Sequence, residues 1–279
     1  MKNTDSAAIN ALRSHIDIID DKLHDLLVER FAVVGQIGAL KAEGGLALRP
    51  GREAQILRRL IARHVSTMPR ATVARIWREI LGSFTSAQSP LAVAVADGGG
   101  IAGLTELARD HFGKVPPLRL VASGGQVVKL VADNVASVGV VPLPGVGAKA
   151  GADPWWAALT SESAPRIVTR LPFFPYDSLE PVHGLVIAKL PHDDTGLDRT
   201  YLILETTAAT SRDRVRDLAE RAGFMVTDLP ASVRIGEIQV HLVEVNGWVG
   251  PSDPRINEVR RDSVSHVTIA GGYPVPLTP

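Results

Sequence analysis

Cysteine is absent from all 279 residues, which excludes a disulfide framework, a thiolate nucleophile and a thiolate metal site. Net charge is absent too, because 30 Lys and Arg balance 30 Asp and Glu. A dedicated nucleic-acid binder needs a surplus of cations to displace counterions from phosphates, so that class is set aside. No apolar run approaches the ~18–20 residues of a membrane span. The start, Met1-Lys2-Asn3-Thr4-Asp5-Ser6, lacks the apolar core of a signal peptide. A soluble, cytoplasmic protein without a membrane partner is expected. The eight histidines include no pair at metal-ligand spacing. There is no internal repeat and no low-complexity segment.

The neutral total hides an asymmetry. Residues 1–90 carry 13 Lys and Arg against 9 Asp and Glu, and the remainder carries 17 against 21. Proline is scarce in the first part: residues 5–89 hold Pro50 and Pro69 alone, each where one helical pattern stops and another begins. From Pro90 onward short β-branched runs alternate with helical stretches. The reading is multidomain, with a helical segment over 1–90, an α/β region over 91–198 and a further domain over 199–279.

In the helical part, Ile9, Leu12, Ile16, Ile19, Leu23 and Leu26, then Val33, Ile37 and Leu40, follow a heptad seam. A helix over 5–43 would be roughly 58 Å long. Two shorter helices, over 50–65 and 70–88, cover that seam only if they pack end to end along it. A second copy of the chain would complete the cover, so an intertwined homodimer is expected, with a plain coiled-coil dimerisation arm as the other reading. Arg30 interrupts the seam, and Lys41 lies eleven residues on, nearly in line with it on one face. Cations on a buried face need an anion. Either Glu29, Glu53 or Glu79 supplies internal salt bridges, or the two cations await an anionic ligand.

Residues 91–198 read as α/β: a strand over 91–96, a helix over 104–112, strands over 118–122 and 136–142, and a helix over 127–134 between them. Residues 143–183 are poorly patterned. Gly98-x-Gly100-x-x-Gly103 follows a strand and opens a helix, but the second strand ends Val121-Ala122-Ser123 without the acid that holds a ribose. A tight strand-to-helix turn explains the glycines better than a dinucleotide site. Strands over 200–205, 224–227, 237–245 and 266–270, with helices over 211–222 and 253–262, give βαββαβ, the order of a ferredoxin-like sandwich.

Several spaced positions carry a family resemblance. Ala11-Leu12-Arg13, Ile19-Asp20, Leu26-Leu27, Glu29-Arg30, Ile37-Gly38 and Lys41 resemble the first helix of the all-helical chorismate mutases. Arg52-Glu53 followed by Ile56-Leu57-Arg58-Arg59-Leu60, and Trp77-Arg78-Glu79-Ile80 leading to Gln88, resemble the other two helices. The resemblance covers residues 6–90 and implies a three-helix, intertwined dimer that converts chorismate to prephenate without metal or cofactor, in aromatic amino-acid biosynthesis. It implies that Lys41 and Gln88 donate to the ether oxygen and that Glu53, with Arg52 beside it, accepts from the substrate hydroxyl. It also implies that Arg30 grips a carboxylate, as does Arg13 from the partner subunit. Guanidinium forks suit a dianion. Two positions depart: Phe84, with Ser83 adjacent, replaces the family's usual serine at the pocket rim, and Arg49 stands where an acid can occur.

The domain order resembles the bifunctional chorismate mutase–prephenate dehydratases. Gly139-Val140-Val141-Pro142 is similar to a dehydratase strand, and Thr195-Gly196-x-Asp198-Arg199-Thr200 to the entry of the family's regulatory ACT domain. Asp253-Pro254-Arg255 and Gly271-Gly272-Tyr273-Pro274 are similar to that domain's second half. The chemistry-bearing strings are missing. Leu143-Pro144-Gly145 replaces Ile-Glu-Asn, and His183-Gly184-Leu185 occupies the place of Thr-Arg-Phe. Thr169-Arg170-Leu171 lies too early and reads as a strand end, though Thr169 and Arg170 are the dehydratase candidates if that activity exists. Residues 206–210 and 228–230 lack the family's phenylalanine-binding strings, so the C-terminal domain is read as an oligomerisation or sensing module. The expectation is a chorismate mutase with a truncated dehydratase-like region. A bifunctional enzyme and a non-catalytic, regulatory chorismate-binding protein are the alternatives.

Overall fold

A computed structural model describes residues 2–40, 45–98, 103–145, 153–161, 163–175, 182–207, 209–260 and 263–278. Helices form where apolar spacing and the two prolines place them: α1 (Lys2–Leu40), α2 (Pro50–Ala62) and α3 (Arg70–Gln88). Pro50 occupies the first turn of α2, where a missing N–H costs no intrahelical bond. Ser89 ends α3 in an extended conformation, as the residue before Pro90 must. The expected end of the first helix at 43 lies outside the described residues.

The remaining elements are β1 (Val93–Ala96), α4 (Leu104–Phe112), β2 (Leu118–Val121), α5 (Gly124–Ala132), β3 (Val138–Pro142), a 3-10 turn (Trp155–Thr160), β4 (Arg166–Leu171) and β5 (Gly184–Ala188). They continue as β6 (Asp198–Thr207), α6 (Arg212–Arg221), β7 (Val226–Ile235), β8 (Ile238–Asn246), α7 (Arg255–Val259) and β9 (Val264–Pro274). The nine strands of the described residues share one sheet, ordered β2-β1-β3-β5-β4-β9-β6-β8-β7. β1 pairs in parallel with β2 and β3, and β5 runs antiparallel to β3 and β4. The βαββαβ elements therefore do not form a separate sheet: β9 continues the sheet through a parallel pairing of Gly271 with Ile167 of β4. At this seam the backbones approach so closely that a Cβ on Gly271 would sit 2.2 Å from the Ile167 carbonyl oxygen. Its φ of +115° also excludes ordinary side chains.

Two strands escape the sequence pattern. β4 lies in the stretch read as poorly patterned, although Thr169–Leu171 was expected to end a strand. β5 is buried at all five positions, so its sequence carries no alternation to read. β7 extends well past the expected 224–227, because it pairs with β8 as far as Ile235. Of the expected helix over 253–262, the described residues form α7 over Arg255–Val259, and 261–262 lie outside them.

The long seam of α1 is open: Ile16, Leu23 and Leu26 are 55%, 53% and 60% exposed. α2 and α3 do not lie end to end along it. They turn their apolar faces toward the α/β region. Ala54, Leu57 and Leu81 close around Phe173, while Ile61, Val73 and Ala74 close around Phe174, and Leu277 borders both clusters. Arg58 of α2 adds polar ties, donating to Thr195 Oγ1 (2.8 Å) and to the carbonyls of Leu197 (2.7 Å) and Val275 (3.0 Å). Among the described residues no helix is long and apolar enough to cross a membrane.

Phe173→Ala removes a ring shared by α2, α3 and the segment after β4, so it should cost about 3–5 kcal/mol in urea unfolding. A loss below about 1 kcal/mol would show that the helices do not depend on this contact. In the C-terminal sheet His241 is buried, with Nε2 3.2 Å from the Thr206 hydroxyl and Nδ1 2.9 Å from the Ser232 hydroxyl. Burial, and then the Arg212 charge, lower its pKa to about 4. The unfolded chain binds this proton more tightly, so His241 favours folding above pH 6.5 and opposes it increasingly as pH falls from 6.5 through 4. His241→Gln should flatten that part of the stability–pH curve, and two parallel curves would refute the assignment.

Candidate functional site

A cavity of about 200 Å³ opens between the C-terminal half of α1, the N-terminus of α2 and the C-terminal half of α3. Helical spacing puts its residues there. Arg30, Val34 and Ile37 come from one face of α1, Arg52, Glu53 and Ile56 from the first turns of α2, and Leu81, Phe84, Thr85 and Gln88 from one face of α3. Arg49, at the entrance to α2, completes the wall and donates to the carbonyls of Leu46 and Leu48, both at 2.7 Å.

Among the described residues three arginines and one carboxylate thus line the cavity. That carboxylate is already engaged, because Glu53, 6% exposed, accepts from Arg78 Nη2. Arg30 is held by rings: its Cζ lies 4.9 Å from the Phe84 centroid and 5.8 Å from that of Trp77. Phe31 packs edge-on to Phe84 at 5.1 Å, fixing the ring that carries the cation. Arg30 Nη1 is buried with no hydrogen-bond partner among the described residues. Burial lowers the pKa of Arg30, as desolvation does to a cation without a compensating anion. The lining has the chemistry to receive an anionic group, with an acceptor at Glu53 and an amide at Gln88. Gln88 Nε2 meanwhile rests on the Phe84 carbonyl at 3.2 Å.

The structure brings together Arg30, Arg52, Glu53, Phe84 and Gln88, with Arg49. The salt bridge between Arg30 and Glu53 considered from the sequence is replaced by the Glu53–Arg78 pair. Ser83 does not line the cavity. Its hydroxyl donates to Glu79 Oε1 at 3.3 Å, and Thr85, two residues further along α3, lines the cavity instead. Arg13 is exposed and bonds Asn10. It lies about 25 Å along α1 from Arg30 at 1.5 Å per residue, beyond reach of its own chain's cavity. Lys41 lies outside the described residues. Sequence reasoning gave no role to Arg78 or Thr85, yet Ala74, Arg78, Leu81 and Thr85 follow the 4-3-4 spacing of one buried helix face. A charge on that stripe was a readable signal. Among the described residues no group of three or more His, Cys, Asp or Glu is placed to hold a metal ion.

Comparison with known proteins agrees with this geometry. Residues 12–89 match the family chorismate mutase type II. The bifunctional chorismate mutase/prephenate dehydratase of Pseudomonas aeruginosa is 31% identical over 146 residues, covering 50% of this chain and 40% of that protein. The protein of the same description from Neisseria gonorrhoeae is 37% identical over 82 residues, covering 29% of this chain and 22% of its own. The chain therefore spans less than half the length of these curated relatives. The Pseudomonas match is longer than the whole helical segment, so sequence similarity runs on into the α/β region. A solved structure described as GqqA, a novel type of quorum quenching acylase, is 16% identical with a TM-score of 0.50. It covers 67% of this chain and 95% of its own, and shows a common fold. Residues 12–89 are a chorismate mutase type II domain, in a chain whose homologues are bifunctional chorismate mutase/prephenate dehydratases.

Proposed function

We propose that this protein is a chorismate mutase, acting in aromatic amino-acid biosynthesis as a cytoplasmic homodimer. The observation that carries the reading is the half-buried Arg30, whose Nη1 is enclosed with no hydrogen-bond partner among the described residues, in a cavity rich in arginine beside an anchored Glu53. Chorismate is a dianion that rearranges within one molecule, so the protein's work is to hold a compact conformer and stabilise charge on the breaking ether bond. Arg30 grips one carboxylate. Arg13 of a second copy grips another, since its own cavity is out of reach. Arg52 adds positive charge at the rim, and Glu53 accepts from the hydroxyl. Gln88, with Lys41, donates to the ether oxygen, where a bond that strengthens in the transition state lowers the barrier.

A second copy also answers the exposed seam of α1. We read the chain as a mutase domain over 1–90, a truncated dehydratase-like region over 91–198 and an ACT-like unit over 199–279, the last two sharing one sheet. The α/β region gives the dehydratase alternative little support: Thr169 is 3% exposed, and Arg170 is spent on the Tyr273 hydroxyl at 3.2 Å.

Purified protein given chorismate should form prephenate with no phenylpyruvate above the acid-catalysed background. Chorismate left untouched would make the cavity a binding module, and enzymatic phenylpyruvate would establish a bifunctional enzyme. Arg30→Ala removes charge-assisted hydrogen bonds of about 1.5–3 kcal/mol, so kcat/KM should fall roughly 10- to 150-fold. An unchanged value would remove Arg30 from the site. Leu23→Glu buries a charge in the expected dimer seam, and sedimentation should show the dimer dissociating into monomers with loss of turnover. A monomeric wild type that still makes prephenate would overturn the intertwined site.

A further inference from the structure

Arg78 stands behind the cavity rather than in its lining, and it faces two ways. On one side its Nη2 donates to Glu53 Oε2. On the other it borders a cavity of about 30 Å³, together with Asp110 and His111 of α4 and with Phe173 and Phe174 after β4. A cation 8% exposed is costly to bury, so what seats it matters. α3 and α4 approach closely at this point. A Cβ on Gly82 would lie 3.1 Å from the Phe112 carbonyl oxygen and 3.5 Å from that of His111. His111 is buried, and burial, followed by the Arg78 charge, pushes it well below its usual pKa. It therefore packs beside Arg78 as a neutral ring and does not compete for Glu53. Among the described residues the charged groups lining the cavities on either side of the pair are Arg30 of α1, Arg49, Arg52 of α2 and Asp110 of α4, and Glu79 of α3 follows Arg78 in the chain. Of these, Glu79 accepts from Ser83 and Asp110 faces Arg75.

We propose that Arg78 is a positioning residue that holds Glu53 toward the ligand and is itself seated by α4, so that the α/β region forms the back wall of the mutase site. This rests on the mutase reading of Glu53 as the acceptor for the substrate hydroxyl. Without the guanidinium, Glu53 has no fixed orientation and the hydroxyl loses its acceptor. That contact exists in ground and transition states alike, so its loss appears in KM more than in kcat. The α/β region then has a reason to persist without dehydratase chemistry. Its α4 and the segment carrying Phe173 and Phe174 complete a site whose other residues all come from the first ninety.

The test measures prephenate formation by the full chain for wild type, Arg78→Met, Arg78→Lys, Glu53→Gln and the Arg78→Met/Glu53→Gln double variant, with circular dichroism as the check on folding. Arg78→Met and Glu53→Gln should each raise KM about tenfold or more, the size of one charge-assisted hydrogen bond, with kcat within about threefold of wild type. Arg78→Lys should recover part of the loss. The double variant should be no worse than the worse single variant, because both remove one interaction. Additive losses would mean that Arg78 acts independently of Glu53 and would overturn the proposal. If Arg78→Met does not fold, Arg78→Lys in both backgrounds carries the same comparison. A second readout is the carboxyl ¹³C resonance of Glu53, assigned by its absence in Glu53→Gln. It should move in Arg78→Lys whether or not the protein turns over chorismate. A wild type without prephenate would then defeat the mutase reading alone, and an unmoved resonance would defeat the role of Arg78.

Discussion

Two amphipathic helices, α2 and α3, have to bury one face each, and in this chain Phe173, Phe174 and Leu277 supply the cover. Much of the architecture depends on that contact. It sets the helices against the end of β4 and the C-terminal segment, and it brings α3 against α4. It leaves α1 projecting with its seam open. Arg58 reinforces the same junction through carbonyls on both sides of the β6–β9 pair. The helical part is therefore joined to the sheet by a shared core, and the sheet itself is continuous across Gly271 and Ile167. A disturbance in the C-terminal strands has a short packed route to the helix that carries Arg52 and Glu53.

The cavity is marked by an imbalance of charge. Arginine outnumbers carboxylate at its wall, and the one carboxylate is neutralised from outside by Arg78. Arg30 keeps an unsatisfied Nη1, and aromatic faces hold the guanidinium plane in place. An unpaired buried donor costs free energy, which a hydrogen-bond acceptor at that place would offset. Phe84 belongs to this arrangement. The residue that departs from the family's serine at the pocket rim is a platform for the cation.

Elsewhere four polar side chains from both C-terminal units pair with one another. Arg170 donates to Tyr273, whose hydroxyl donates to Glu244 at 2.6 Å, and Thr227 donates to the other oxygen of Glu244 at 2.8 Å. The network ties β4, β7, β8 and β9 across the seam of the sheet. Satisfied polar networks of this kind fix register and give up reactivity, in keeping with the missing dehydratase strings around Leu143 and His183.

Much of this was legible in one dimension because its signals are local. Heptad spacing announced α1, Pro50 and Pro69 set the helix boundaries, and the alternation of β and α segments announced the sheet. The spacing of Arg30, Arg52, Glu53 and Gln88 marked the cavity, since helical periodicity fixes which residues share a face. Strand β5 was illegible because a strand buried on both faces has no alternation, and β4 for the same reason, being buried at four of its six positions. Only the tertiary structure decided who pairs with whom. Glu53 took Arg78 rather than Arg30, Ser83 turned to Glu79 while Thr85 faced the cavity, and the two C-terminal units merged into one sheet. The sequence by itself determined which residues could form helices and present charge on one side. Which charge meets which depends on how those helices pack, and that is settled by contacts as distant in sequence as Leu57 and Phe173, which no spacing rule reaches.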